Sequence, residues 1–186
     1  MQKISYFFIK CFILIALISP SFMFADDKSK LFLLPRDKDI ALKTLYKNID
    51  LAKNDIKISI YTFTHKKIAK RLKKAAKRGV NIEIIFDKKQ SKSKSGKSMI
   101  TYLAKYKNVK TYKLKGLRSK NKKYSGIMHI KMAVIDSKTL IFGSANWTYS
   151  AFSKNYETLF ITKDYQKAKK FLEFFAIQKS KSKLYR

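Results

Sequence analysis

Two residues spaced by one, His129 and Lys131, lie in the alternating stretch Ile127-Met-His-Ile-Lys-Met-Ala-Val-Ile-Asp136. In a strand, side chains at 129 and 131 leave the same face, two rises or roughly 7 Å apart. At that separation an imidazole can attack phosphorus while an ammonium holds a non-bridging oxygen and offsets the charge developing on it. Downstream, the apolar run Leu140-Ile-Phe opens into Gly143-Ser144-Ala145-Asn146. A glycine there lets a substrate approach the backbone closely, and Ser144 and Asn146 can donate hydrogen bonds to phosphate oxygens. Glu157 opens the apolar segment Glu157–Ile161 and is the kind of carboxylate that orients a nucleophilic imidazole. Asp136, at the far end of the His129 stretch, reads first as an anchor for the turn that follows.

The chain has one other histidine, His65, in a Thr-His-Lys-Lys setting at the start of a helix. That setting suits a solvated surface position, and replacing His65 with Ala is expected to leave turnover nearly intact. The sole cysteine, Cys11, lies in an apolar N-terminal stretch, so the remainder has no disulfide, thiolate nucleophile or cysteine metal ligand. Two-metal phosphodiester sites gather carboxylates, and the chain holds only 12 Asp and Glu. No metal or other cofactor is expected.

The elements that must position these residues alternate between short apolar runs and amphipathic stretches, the pattern of an α/β domain whose helices cover both faces of a central sheet. Leu31–Leu34 reads as a strand ended by Pro35. Asp39–Ala52 reads as a helix with Ile40, Leu42, Leu45, Ile49 and Ala52 near one face. Ile56–Phe63 is the next strand. Thr64 can cap a helix whose Ile68, Ala69, Leu72, Ala75 and Ala76 face inward and which Gly79 ends. Val80–Phe86 and Val109–Leu114 read as strands, with a helix over Ser98–Tyr106 between them.

The spacing His129-x-Lys131, four residues, Asp136, then Gly143-Ser144-Ala145-Asn146 resembles the HxKxxxxD…GSxN signature of the phospholipase D superfamily. Tyr61-Thr-Phe-Thr64, the Arg78-Gly-Val80 turn and Glu157 resemble its short bacterial endonuclease branch. The resemblance implies a mixed central sheet and a metal-independent mechanism. In it His129 forms a covalent phosphohistidine, a second histidine protonates the leaving oxygen, and water releases the product. Large members carry the signature twice and this chain carries it once. The resemblance therefore implies a homodimer that places His129 and Lys131 of both copies in one pocket, with the isologous pairing usual for such symmetry.

Charge narrows the substrate without settling it. Lys and Arg number 43 against 12 Asp and Glu, giving a net charge of +31 and a pI near 10.2. Such a field attracts polyanions, and it acts alike on DNA and on anionic lipid head groups. The segments 87–97 and 115–125 are basic loops whose Lys92, Lys94, Arg118, Lys120, Lys122 and Lys123 could contact nucleic acid; the first loop reads equally as a plain linker. Tyr102, Tyr106, Tyr112 and Tyr124 lie among lysines and could stack on unpaired bases, although core and edge packing accounts for most of them. Trp147 and Phe152 read as core.

Three functions stay open: a nuclease acting on DNA with little sequence preference, a phospholipase D-type lipid phosphodiesterase, and a nucleic-acid-binding protein without turnover. The complete catalytic set and the strong basic charge favour the nuclease. At the N-terminus, Lys3 and Lys10 flank an apolar run through Ile18, with Ala25 before the pair Asp26–Asp27. Residues 1–25 read as a signal peptide or a membrane anchor, and 26–186 as one exported domain, in the periplasm, on the outer face of the inner membrane, or secreted. If phosphate contacts dominate binding, DNA cleavage should fall steeply across a salt series; an initial rate insensitive to salt would contradict the polyanion reading.

Overall fold

Alternating isoleucines set the centre of the molecule. In strand β2, Asp55–Ile60, Ile56, Ile58 and Ile60 point to one side, and Ile82, Ile84 and Phe86 of the parallel strand β3, Asn81–Asp87, match them register for register. Ile85 points to the opposite side and enters a second apolar cluster. β3 is therefore apolar on both faces, as expected of a central strand covered twice.

The computed structural model describes residues 29–92, 98–120 and 123–185. Strand β1 (Ser29–Leu34) is followed by helix α1 (Lys38–Leu51), β2, helix α2 (Lys66–Lys77), β3, a single 3-10 turn at Gln90–Lys92, and the short helix α3 (Ile100–Leu103). Next come β4 (Val109–Leu114), β5 (Lys131–Ile135), β6 (Thr139–Gly143), helix α4 (Tyr149–Ser153), β7 (Glu157–Lys163), helix α5 (Tyr165–Ser180) and β8 (Lys183–Leu184). The strands join one mixed sheet in the order β1-β7-β6-β5-β2-β3-β4-β8. β2, β3 and β4 are parallel, and the pairs β1–β7, β7–β6, β6–β5, β5–β2 and β4–β8 are antiparallel.

The larger core lies on the side of α1 to α4, where Leu45, Ile49, Ile68, Leu72, Leu103, Trp147 and Phe152 meet the strands. On the other side α5 packs Ala168, Phe171 and Phe175 against Ile85, Tyr112, Val134 and Leu140, and its Gln178 accepts a buried hydrogen bond from Ser59 at 2.7 Å. The expected α/β architecture with helices on both faces is observed.

Several elements differ from expectation. Ile40 is exposed and Ala41 takes the inward place on α1. The helix expected over 98–106 shrinks to one turn. Periodicity does not reveal the C-terminal helix α5, because Phe174 and Ile177 break its polar face by staying exposed. Regular pairing of the His129 strand begins only at Lys131. Tyr112 is buried, Tyr102 and Tyr106 pack against the larger core, and only Tyr124 of the four tyrosines stands well exposed.

Helix α2 is capped by His65, not Thr64. His65 Nδ1 accepts from the Ile68 amide at 3.4 Å, while the Thr64 amide donates to Trp147 O. His65 is 1% exposed, stacked at 4.1 Å on Tyr149 and edge-on to Phe152, so it is a buried residue and not the solvated one expected. Burial lowers its pKa from 6.5 to about 4. Asp136 carries out its anchoring role: it sits at φ 51° in the β5–β6 turn, and its carboxylate accepts from the amides of Lys53, Asn54 and Asp55 at 2.8 to 3.2 Å.

Two outcomes follow for stability. Asp136→Ala removes a charged acceptor from three amides and should lower unfolding free energy by about 2–4 kcal/mol in urea titrations; a loss near zero would contradict the anchor. Unfolded, His65 takes up its proton near 6.5 and folded only near 4, so below 6.5 the unfolded chain binds more protons. Stability should fall on the order of 3 kcal/mol as pH drops through that interval. His65→Asn, which caps without titrating, should lose that part of the acid dependence, and an unchanged pH profile would refute it.

Candidate active site

The site forms where strand ends alternate. Because β5 runs antiparallel to β2, Lys131 at the start of β5 pairs with Ile60 at the end of β2. Because β7 runs antiparallel to β6, Gly143 at the end of β6 lies beside Leu159, close to Glu157 at the start of β7. His129, Lys131, Gly143, Ser144, Asn146 and Glu157 consequently line one cleft of about 390 Å³. Of the seven residues expected to build the site, only Asp136 lies elsewhere, at the opposite end of β5.

Lys131 is 8% exposed, and its ammonium donates to His129 Nε2 at 2.9 Å and to His129 O at 3.0 Å. An ammonium can only donate, so Nε2 is the unprotonated nitrogen and the imidazole proton sits on Nδ1. Burial holds the Lys131 pKa below the ordinary lysine value, and the Glu157 carboxylate offsets part of that shift. His129 itself is exposed to the cleft, with the Tyr61 ring meeting it edge-on at 4.5 Å. The Nε2 lone pair is thus held by a cation, and it could act as a nucleophile once that ammonium moves onto an incoming phosphoryl oxygen.

The other side chains take roles partly different from those expected. Ser144 Oγ donates to Glu157 and accepts from the Thr158 amide at 2.9 Å, so its proton serves the carboxylate and not a phosphate. Glu157 also accepts from Asn155 Nδ2 at 3.4 Å; the hydrogen bond to the His129 ring comes from Lys131, not from Glu157. Asn146 Oδ1 accepts from the Thr62 amide at 3.1 Å, which fixes the amide orientation and leaves the NH₂ group for a ligand oxygen. Gly143 is required by the neighbouring strand: a Cβ there would lie 2.2 Å from Thr158 O. That close backbone approach, more than substrate access, demands glycine.

The adjoining Trp147 clamps this loop to the end of β2. Its amide donates to Thr62 O and its carbonyl accepts from the amides of Thr64 and His65, while the buried indole packs edge-on against Phe63 at 5.2 Å. His65 belongs to a separate cavity of about 640 Å³ between α1, α2 and α4 that shares no lining residue with the His129 cleft.

A second groove of about 620 Å³ also reaches His129. Leu114, Leu117, Ile127, Phe174 and Ile177 give it an apolar lining, and Lys88, Lys113, Lys115, Arg118, Lys181 and Lys183 supply cations. The cations are close enough that Lys115, Lys92, Lys183 and Lys113 all lower the Lys88 pKa. Of the expected nucleic-acid contacts, Arg118 lies in this groove, Lys92, Lys120 and Lys123 are exposed nearby in sequence, and Lys94 and Lys122 lie outside the described residues. Two residues near His129 were missed by sequence reasoning, Asp87 and Gln90, because an acid and an amide at a strand end look like ordinary loop residues.

Comparison with known proteins agrees with this geometry. Residues 45–178 match the family described as "Cardiolipin synthase, PLD-like domain". NucT from Helicobacter pylori superposes with a TM-score of 0.81 at 39% identity, covering 84% of this chain and 98% of that one. Nuc from Salmonella typhimurium, a phospholipase D family member, superposes with a TM-score of 0.71 at 26% identity, covering 85% and 97%. In sequence, the mitochondrial cardiolipin hydrolase of Mus musculus is 26% identical over 73% of this chain, which spans only 56% of that relative's length. The paired motifs, the strand ends that join them and these likenesses make the chain a short-form member of the phospholipase D superfamily.

Proposed function

We propose that the protein is a nuclease that hydrolyses DNA phosphodiester bonds through a covalent phosphohistidine on His129, without a metal. The observation that carries this reading is the meeting of His129, Lys131, Asn146 and Glu157 in one cleft, with Nε2 unprotonated and the buried ammonium against it. Nε2 attacks phosphorus and the P–O bond to one bridging oxygen breaks as the P–N bond forms, releasing that oxygen on one DNA fragment, while Lys131 and the Asn146 amide take the non-bridging oxygens. Glu157, held by Ser144, balances the cationic charge that develops. Water then attacks phosphorus and the P–N bond breaks, releasing the phosphate-bearing DNA fragment and the free imidazole.

The cleft offers one imidazole and one carboxylate as ligands, a sparse set for two-metal chemistry. It also lacks a second histidine to protonate the leaving oxygen, because His65 lines another cavity. A twofold dimer would supply the His129 of a second copy. An incompletely covered sheet face supports such pairing: α5 shields only part of it, and Met132, Phe142 and Phe160 stay half-buried in register with exposed Leu31. Apolar surface of this kind marks an interface.

Basic grooves favour DNA. The cations around His129 suit a phosphate backbone and the apolar lining suits unpaired bases, so single strands should be accepted well. We also propose an exported location, periplasmic, membrane-held or secreted, resting on the apolar segment between Lys3 and Ala25. A second reading, lipid phosphodiester cleavage, is favoured by the apolar residues of the same groove and by the likeness to a cardiolipin hydrolase. A binding protein without turnover would have no use for the complete catalytic set.

The test incubates the purified protein in EDTA with single-stranded DNA, duplex DNA, and phosphatidylcholine or cardiolipin vesicles, beside His129→Ala. DNA products that fall by about a thousandfold or more in the variant are expected. Lipid products alone, or DNA binding without products, would overturn the substrate assignment.

A further inference from the structure

His129 lies in an irregular segment, Gly126–Ile130, that precedes the first paired residue of β5. A nucleophile outside a ladder needs other restraints, since a misplacement of about 1 Å can cost on the order of a hundredfold in rate. The restraints on both sides of His129 are visible. Ile130 O accepts from the Tyr61 amide at 2.8 Å, and the Met128 amide donates to Asp87 Oδ2 at 3.2 Å. Asp87 is 2% exposed at the end of β3.

The same carboxylate does more. Its Oδ1 accepts from the amides of Lys89 and Gln90 at 2.9 and 3.0 Å, fixing the 3-10 turn. Gln90 then donates from Nε2 to Tyr61 Oη at 3.1 Å and accepts from Thr62 Oγ1 at 3.5 Å. Tyr61 in turn sets its ring edge-on to His129 and under the Lys131 ammonium, 5.1 Å from the ring centroid. A cap for the turn alone would require only the Oδ1 bonds. The bond to Met128, across 41 residues, ties β3 to the nucleophile's own backbone.

We propose that Asp87 is a positioning residue for His129, holding its backbone through Met128 and its imidazole through Gln90 and Tyr61. The inference rests on the nucleophile role proposed above, and its test separates the two. Asp87→Asn keeps an oxygen for the turn but presents an NH₂ group where Met128 needs an acceptor. Gln90→Ala removes the support of Tyr61 and leaves the Met128 bond.

Steady-state DNA cleavage and NMR of the imidazole protons are measured on the full chain and both variants. The sequence holds two histidines, so His65 serves as an internal control. Asp87→Asn should lower kcat by about 10- to 100-fold with KM changed less than about threefold. Gln90→Ala should lower kcat less. In both, the His129 signals should shift or broaden while those of His65 stay in place. His129 signals unchanged in the folded variants, or an Asp87→Asn kcat within about twofold of the parent, would overturn the proposal. Should Asp87→Asn fail to fold, Gln90→Ala decides it. Should the parent protein not cut DNA, the nuclease reading fails and the imidazole signals alone still judge the clamp.

Discussion

The antiparallel pairing of β5 with β2 is the constraint on which the site depends. It sets Lys131 opposite Ile60, so the ammonium arrives at the sheet end with apolar core behind it and only the cleft ahead. Desolvation penalises that charge unless it is hydrogen-bonded. His129 supplies both acceptors, its carbonyl and Nε2. The lysine thereby decides which imidazole nitrogen is unprotonated.

The surrounding fold makes that arrangement rigid at few points. Asp136 secures the far end of β5 by accepting from the amides of Lys53, Asn54 and Asp55, where the chain enters β2. Trp147 secures the near end, joining the loop after β6 to the end of β2 through its backbone and its indole. Gly143 permits β6 and β7 to approach so closely that Ser144 can reach Glu157. These are short-range contacts between segments far apart in sequence. The cleft is therefore a product of sheet topology, and a slip of one residue in β5 or β7 would turn Lys131 or Glu157 to the other face.

How far the sequence reveals all this depends on the signal each residue leaves. Lys131, Gly143 and Asn146 lie in motifs whose spacing and strand parity announce them, and the alternation in Ile56–Ile60 and Ile82–Phe86 fixes the central strands. His65 leaves the wrong signal: flanked by Thr64 and the pair Lys66–Lys67, it looks solvated, yet Tyr149 and Phe152 from α4 bury it. Asp87 leaves none, since its importance lies in an amide 41 residues away. The partner of Glu157 was likewise hidden, because Ser144 reads as a phosphate donor until β7 is seen beside it. Helix α5 escaped because its outward apolar residues blur the 3.6-residue period.

The central claim is that His129 becomes covalently attached to phosphorus. The most direct measurement is the intact mass of the protein after rapid mixing with a short single-stranded oligonucleotide in EDTA, denatured at alkaline pH, where a phosphoryl-imidazole bond survives. The account predicts a transient mass increase equal to one phosphoryl-bearing oligonucleotide fragment, mapped to His129 and absent in His129→Ala. Product formation with no adduct, or an adduct on another residue, would contradict it.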